Sequence, residues 1–193
     1  LTNSSFRMVG PIYALGAGLA PAEIGLFMMA GVGGGALAQW PSGWLSDKYD
    51  RRKVLIGISF ASLMVCIAIA SGGLGAPVYV ASFAFGAAAF PLYSIAAAHA
   101  NDFAQPDEVV ELNASLMFLY GVGAIVSPLL AASLIVSYGP PALFAYIAIA
   151  HVVLILFSVW RMTRRPAAAQ KTEHAYVPRT SFTIARIFKP WRK

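Results

Sequence analysis

Long apolar stretches alternate with short interruptions that are polar or rich in glycine and proline along most of this chain. Each stretch approaches the roughly 20 residues that an α-helix needs to cross a bilayer core about 30 Å thick. We predict six membrane-spanning helices, with the approximate bounds 1–20, 22–42, 54–71, 77–99, 112–137 and 140–160. The predicted fold class is therefore all-α, that of a polytopic membrane protein.

The six predicted spans differ in composition. The third and sixth are mostly aliphatic, so we expect them to face lipid, whereas the other four carry glycine, proline and polar residues. Gly31 and Gly35 in the second span have the four-residue spacing that lets helix backbones approach closely. Pro91 predicts a break in the fourth span. Gly123 and Pro128 are assigned to helix packing or a kink in the fifth span. Four such helices inside and two plain helices outside are typical of half of a transporter.

The longest charged interruption in the first hundred residues is 43–53, between the second and third spans. We interpret it as a short charged turn between two antiparallel helices. A second polar stretch, 100–111, is acidic and follows the fourth span. From Arg161 the sequence becomes basic and polar, and we predict a flexible cytoplasmic tail over 162–193.

Composition and charge placement support a membrane protein. Of 193 residues, 59% are hydrophobic and 11% are charged, whereas about a quarter of the residues of soluble domains are charged. The net charge of +6 does not indicate nucleic-acid binding, because the basic residues other than Arg7 lie in 48–53 or from Arg161 onward. Basic residues concentrate on the cytoplasmic side of membrane proteins. The charged turn and the tail are therefore both expected in the cytoplasm.

Part of the charged stretch resembles a known family signature. The residues that carry the resemblance are Gly43, Leu45, Ser46, Asp47, Lys48, Asp50, Arg51 and Arg52. In this order they resemble the signature loop of the major facilitator superfamily, Gly-x-Leu-Ala-Asp-Arg/Lys-x-Gly-Arg/Lys-Arg/Lys. Asp50 stands where that loop has its second glycine, and we interpret the replacement as tolerated, because aspartate can visit the left-handed backbone conformation.

The resemblance extends from residue 1 to about 161 and implies a specific half of such a transporter. Members have twelve helices in two six-helix halves. Three phrases resemble the C-terminal half of a bacterial branch without an assigned substrate: Gln39-Trp40-Pro41, Phe90-Pro91-Leu92-Tyr93 and Tyr120-Gly121-Val122-Gly123. The chain would then lie in the bacterial inner (plasma) membrane. The start at Leu1 rather than Met also suggests a fragment. The N-terminal half of the same transporter, or a second copy, would cover its glycine-rich face.

The resemblance also suggests a role for the loop residues Gly43, Asp47, Lys48, Arg51 and Arg52, which we interpret as a conformational latch. Asp47 can accept hydrogen bonds from Arg51 and from free amides at a helix N-terminus in the partner half. One state of the transport cycle would then gain a contact that the other lacks. In the alternative interpretation the basic residues only set the orientation of the chain and contact lipid phosphates.

A second group of residues is predicted to line the path of a solute or proton. Its members are Arg7, Tyr13, Tyr93, His99 and Tyr120. Ionisable groups within spans are functional candidates, tyrosine offers a ring and a hydroxyl for ligand contact, and histidine titrates near neutral pH. The alternatives are that Arg7 extends to the membrane surface, that the tyrosines pack in the core, and that His99 stabilises a helix end.

Enzymatic and metal-dependent functions are disfavoured by the sequence. Three histidines and one cysteine are scattered without the spacing of metal ligands, and no Walker loop, nucleophile elbow or HExxH motif is present. We therefore predict no cofactor, no metal and no enzyme. The predicted function is secondary transport of a small solute by alternating access, efflux included, with coupling to protons by analogy. The alternative is a membrane scaffold or sensor that has lost transport.

Overall fold

The computed structural model describes residues 1–72, 78–105 and 107–164, which form seven α-helices and no strand. The helices are α1 Thr2–Gly16, α2 Pro21–Lys48, α3 Arg51–Ala70, α4 Val78–Ala89, α5 Leu92–Asn101, α6 Val109–Tyr138 and α7 Ala142–Arg164. This is an all-α polytopic architecture, as predicted. Residues 165–193, which make up nearly all of the predicted tail, lie outside the described residues.

Within the described ranges, five helical segments are long and apolar enough to cross a membrane. They are Pro21–Lys48, Arg51–Ala70, Val78–Asn101, Val109–Tyr138 and Ala142–Arg164. The third of them consists of α4 and α5, which are separated at Phe90 and Pro91, where the sequence predicts a break. The predicted span 1–20 is not among the five, because α1 has 15 residues. The chain turns after α1 at Gly18, whose φ of 87° favours glycine.

The predicted turn over 43–53 is too long. Helix α2 continues to Lys48 and α3 begins at Arg51, so only Tyr49 and Asp50 connect them. Asp50 does not use the left-handed conformation, since its φ is −58°. Its carboxylate instead accepts a hydrogen bond of 3.0 Å from the backbone N–H of Arg52. Asp50 is therefore the N-cap of α3, a position that aspartate favours.

The core is a cluster of aromatic rings enclosed by four helices. Phe6 of α1 lies 4.9 Å from Phe85 of α4 between ring centroids, and Phe85 lies 5.3 Å from Phe144 of α7. Phe27 of α2 completes the cluster, 5.6 Å from Phe6. These side chains are almost fully buried. Edge-on and tilted ring pairs at such distances add favourable contacts beyond the burial of apolar area.

Glycines let α2 and α4 come into backbone contact. A Cβ atom on Gly34 would overlap the carbonyl of Phe83, and one on Gly86 would overlap the carbonyl of Gly31. Gly35 faces the ring of Phe90 in the same interface. We call this contact of α2 with α4 the glycine seam. It fixes the position of α4 along the axis of α2, and with it the position of the break before α5.

Helix α3 exposes an apolar side that includes Phe60, Met64 and Ile67, but its other side is not the plain surface that its composition predicts. Its buried residues include Ser59, Ser62 and Cys66. Ser62 shares a hydrogen bond of 2.8 Å with the Nε2 atom of His151 on α7, and both residues are buried. The small polar residues lie on one side of α3, and this side packs against α7. Composition averaged over the whole helix concealed this strip.

Candidate functional site

Arg51, the first residue of α3, joins three helices through its guanidinium group. Its Nη2 atom donates to Asp47 Oδ1 at 3.0 Å, and its Nη1 atom donates to Asp102 Oδ1 at 2.8 Å. Nη1 also donates to the backbone carbonyl of Ala98 at 2.8 Å. The side chain of Arg51 is 1% exposed. We call Asp47, Arg51 and Asp102 the ion-pair cluster.

The sequence around the cluster explains its position. Asp47 lies in the last turn of α2 and Arg51 opens α3 four residues later, so the short connection brings both to one end of the bundle. Ala98 lies in the last turn of α5, where carbonyl groups concentrate negative charge. The cation of Arg51 offsets that charge together with the charge of Asp102. The cluster thus attaches the end of α5 to the start of α3.

The two carboxylates of the cluster differ in exposure, which separates their roles. The side chain of Asp102 is 3% exposed, whereas that of Asp47 is 42% exposed. A buried ion pair is sensitive to the loss of either partner, because the remaining charge has lost its solvation by water. Asp102 therefore holds Arg51 in place, while Asp47 presents a fixed carboxylate at the surface.

Arg52, the second arginine of the predicted latch, belongs to a separate pair with Asp50. Arg52 donates to the Asp50 carboxylate from Nη2 at 3.0 Å and from Nε at 3.2 Å. The hydrogen bond from the Arg52 side chain lowers the pKa of Asp50 below its ordinary value of 3.8. Both side chains are partly exposed. This pair caps the N-terminus of α3, and its charges are less buried than those of Arg51 and Asp102.

The surface beside Asp47 is a groove between α2 and α5 with a volume of about 430 Å³. Gly43, Ser46, Asp47, Ser94 and Ile95 are among its lining residues. The Ser46 hydroxyl is buried and has no hydrogen-bond partner among the described residues. A Cβ atom on Gly43 would meet nothing within 4 Å. The groove thus has one fixed carboxylate and one unsatisfied hydroxyl in its wall.

Lys48 lies at the edge of this region and contacts aromatic rings. Its Nζ atom is 4.9 Å from the ring centroid of Trp44 and 5.7 Å from that of Tyr49. About half of the surface of Trp44 and of Tyr49 is exposed. Ammonium groups over aromatic faces are favourable contacts. The contact orients Lys48 along the surface of α2.

Of the predicted path residues, the structure brings together Tyr93 and Tyr120. Their rings meet edge to face, with centroids 5.1 Å apart, across the interface of α5 and α6. Both line a cavity of about 280 Å³ that also includes His151 and Leu154 of α7. The sequence pattern did not indicate His151 as a neighbour of these tyrosines, because it lies on a mostly aliphatic helix.

The other three predicted path residues have separate surroundings. Arg7 is exposed on α1, with its guanidinium carbon 5.7 Å from the ring centroid of Phe90. Tyr13 is buried in the aromatic core, 4.7 Å from Phe144 between centroids. His99 packs edge-on against Phe103 at 5.3 Å. Tyr13 therefore packs in the core, which is the alternative interpretation of its sequence position.

Sequence reasoning did not identify Asp102 as a partner of Arg51. It assigned Asp102 to an acidic turn beside His99, although an arginine at the start of a membrane helix needs a counter-charge at the same membrane face. Asp102 is the first acidic residue after the fourth predicted span. This position at the end of the span was the one indication in the sequence that Asp102 pairs with Arg51, as it does in the fold.

Comparison with known proteins gives a consistent result. Residues 1–192 match the family model described as the Major Facilitator Superfamily. An uncharacterized MFS-type transporter, YcaD, of Salmonella typhi is 35% identical over 156 residues, which cover 81% of this chain and 40% of that protein. YcaD of Salmonella paratyphi B is 36% identical over 146 residues, covering 76% and 37%.

The chain therefore spans about two fifths of the length of the curated relatives that it matches. No solved structure matches the chain. The matched residues include all seven helices and the ion-pair cluster. This chain is an integral membrane protein that belongs to the major facilitator superfamily.

Proposed function

We propose that the chain forms one half of a secondary transporter that moves a small solute by alternating access. The observation that carries the proposal is the ion-pair cluster, in which buried Arg51 connects α2, α3 and α5 while Asp47 stays accessible in a groove. Such an arrangement supports a surface contact that forms in one conformational state and breaks in the other. The names of the relatives, which describe transporters, agree with this proposal.

The latch that we propose uses the groove beside Asp47. A helix of the N-terminal half, or of a second copy, enters the groove with its first amides directed at Asp47. Hydrogen bonds from backbone N–H groups to a carboxylate are charge-assisted and therefore strong, and the helix dipole adds to them. The helix occupies the groove in the state in which the solute path is closed to the cytoplasm. The charged connection and the tail lie in the cytoplasm.

The solute path in this proposal includes Tyr93 and Tyr120, with Arg7 and His99 at its edges. A solute changes the balance of states only through its different affinity for each of them. Proton coupling would use His99, which lies one turn from Asp102 and thus from the ion-pair cluster. The membrane is the bacterial inner membrane.

Counterflow in proteoliposomes tests this function on the full-length gene product. A panel of radiolabelled sugars, amino acids, organic cations and organic anions is offered to vesicles that contain an excess of the same unlabelled compound. We expect exchange of at least one class, reduced about tenfold or more by Asp47→Asn, because a hydrogen bond to a charged group is worth about 1.5–3 kcal/mol. The matched control is Asp107→Asn, which changes an exposed carboxylate in the connection before α6.

The same experiment has clear contrary outcomes. Exchange of no compound across the panel would favour a scaffold or sensor. Full exchange by Asp47→Asn protein would remove the latch from the mechanism while leaving transport in place.

A further inference from the structure

The end of α5 and the start of α6 are joined by a reciprocal pair of side-chain amides. Asn101 donates from Nδ2 to Asn113 Oδ1 at 3.2 Å, and Asn113 donates from Nδ2 to Asn101 Oδ1 at 2.9 Å. Each Nδ2 also donates to a carbonyl of its own helix, Ala97 at 2.8 Å and Val109 at 2.7 Å. We call Asn101 and Asn113 the amide clasp.

The four hydrogen bonds define the orientation of both amides. If either side chain were rotated to exchange its oxygen and nitrogen, an oxygen would face the carbonyl of its own helix and the two amides would no longer match. Both residues are only partly exposed. The clasp therefore has one well-satisfied arrangement, and it fixes the separation of the two helices at this level.

The clasp lies next to the ion-pair cluster in the sequence and in space. Asn101 is followed directly by Asp102, whose carboxylate binds Arg51 at 2.8 Å. The end of α5 is consequently held from two sides, by Arg51 of α3 and by Asn113 of α6. A displacement of this end that follows the release of Arg51 must be shared with α6 as long as the clasp is intact.

Helix α6 carries this displacement to the candidate path. Tyr120 lies seven residues after Asn113, which is about two turns or about 10 Å along the same face of the helix. At that depth Tyr120 contacts Tyr93 and lines the cavity beside Leu154 of α7. Helix α7 packs on α3 through His151 and Ser62 and is joined to α6 at Ser127 and Tyr146, so a movement of α6 at Tyr120 is measured relative to α7.

We propose that the amide clasp is a positioning device that transmits the state of the ion-pair cluster to Tyr120 on α6. The ion-pair cluster holds α5 on α3, and the clasp holds α6 on α5. Asn101 and Asn113 then act through Tyr120 and do not contact the solute. The inference depends on the proposed transport function only for the place of this movement in a transport cycle.

A double-mutant cycle tests the inference on the full-length gene product in proteoliposomes. In a background without native cysteines, Cys66→Ala included, Tyr120→Cys and Leu154→Cys report the separation of α6 and α7 through their rate of cross-linking by a short bifunctional methanethiosulfonate. We expect Asp102→Asn to lower this rate about fivefold or more, which is the usual size of coupling between sites. In protein that also carries Asn113→Leu, the same Asp102→Asn change should alter the rate by less than about twofold.

Further variants distinguish transmission from general destabilisation. Asn101→Ser breaks the clasp from the other helix and should abolish the response to Asp102→Asn in the same way. Ser115→Ala, an exposed position on α6, should leave the response intact. An equal effect of Asp102→Asn with and without Asn113 would overturn the inference, and so would no effect in either background. If the cycle is non-additive but counterflow is absent, the clasp stands and the proposed transport function fails.

Discussion

Arg51 and Asp102 lie 51 positions apart in the sequence, yet they form a buried ion pair of 2.8 Å between the start of α3 and the end of α5. The pair places a cation at the C-terminus of a helix and a carboxylate beside that cation. Because Arg51 also binds Asp47 of α2 at 3.0 Å, a single side chain determines how three helices meet. The contacts of Arg51 with Asp47 and Asp102 therefore determine what its substitution should do.

Loss of the Arg51 side chain should destabilise the protein strongly. Arg51→Met leaves the buried Asp102 carboxylate without its guanidinium partner, and breaking a buried pair in this way costs about 3–5 kcal/mol. Arg51→Lys should be intermediate, because one ammonium group cannot reproduce the fork that reaches Asp47 and Asp102 together. Thermal unfolding in detergent, followed by the loss of the monodisperse peak in size-exclusion chromatography, measures both variants.

Arg52 provides the matched control for that experiment. It is also an arginine in the first turn of α3, but its partner Asp50 is partly exposed. The side chains of Arg52 and Asp50 are 14% and 26% exposed, so water still solvates the carboxylate when its partner is lost, and Arg52→Met should lower the unfolding temperature less than Arg51→Met. Equal losses for the two variants would contradict the distinction between the buried cluster and the partly exposed pair.

The capping role of Asp50 predicts the effects of substitution and pH. Asp50→Ala should lower stability by about 1 kcal/mol, since the cap of α3 is lost, whereas Asp50→Gly should cost a few tenths. The pKa of Asp50 is lowered in the folded protein by the Arg52 hydrogen bond. Its charged form therefore stabilises the fold above the ordinary carboxyl pKa of 3.8, and this contribution is lost as the pH falls through the lowered value.

Unfolding measured across the acid range checks the sign of this dependence. Asp50→Asn keeps a capping side chain but cannot ionise, so its stability should vary less with pH below 4 than that of the unsubstituted protein. A variant with the same acid sensitivity as the unsubstituted protein would show that the dependence arises elsewhere.

The glycine seam predicts a position-specific effect of alanine. Gly86→Ala and Gly34→Ala would push a methyl group into the backbone of the facing helix, and overpacking of this kind costs typically about 1–3 kcal/mol. Gly33→Ala should be neutral or stabilising by up to about 1 kcal/mol, because a Cβ there meets nothing within 4 Å and alanine favours helix more than glycine. Equal effects at Gly33 and Gly34 would rule out the close approach of α2 and α4.

The fold class and the general helix pattern could be predicted from the sequence, because each membrane helix needs an apolar run of about 20 residues, and such runs are visible in the sequence. The break at Pro91 was predicted from the proline, which removes a backbone donor. Proline alone does not determine a break, because Pro11, Pro41 and Pro128 lie inside continuous helices. The length of the charged turn could not be predicted. Polar residues suggested a loop over 43–53, but Lys48 and Arg51 still belong to helices, since charged side chains are readily accommodated at helix ends that reach water.

The candidate site was predicted only in part, for reasons of distance in the sequence. Asp47 and Arg51 were recognised because they share one short motif. Asp102 and Asn113 lie on later elements, and nothing in their local sequence indicates which helix they approach. Similarly, Tyr13 and Tyr93 have comparable apolar surroundings in the sequence, yet Tyr13 packs in the aromatic core while Tyr93 lines a cavity.

If Asp47 fixes a partner helix in the groove between α2 and α5, that helix should shield Ser94 from reagents in the cytoplasm. Ser94 is exposed and lines the groove, so Ser94→Cys in a background without native cysteines, Cys66→Ala included, reports whether the groove is covered. We expect Asp47→Asn to raise the rate of labelling by a membrane-impermeant maleimide from the cytoplasmic side about tenfold, and Asp107→Asn to leave it unchanged. An identical rate in all three proteins would contradict the latch.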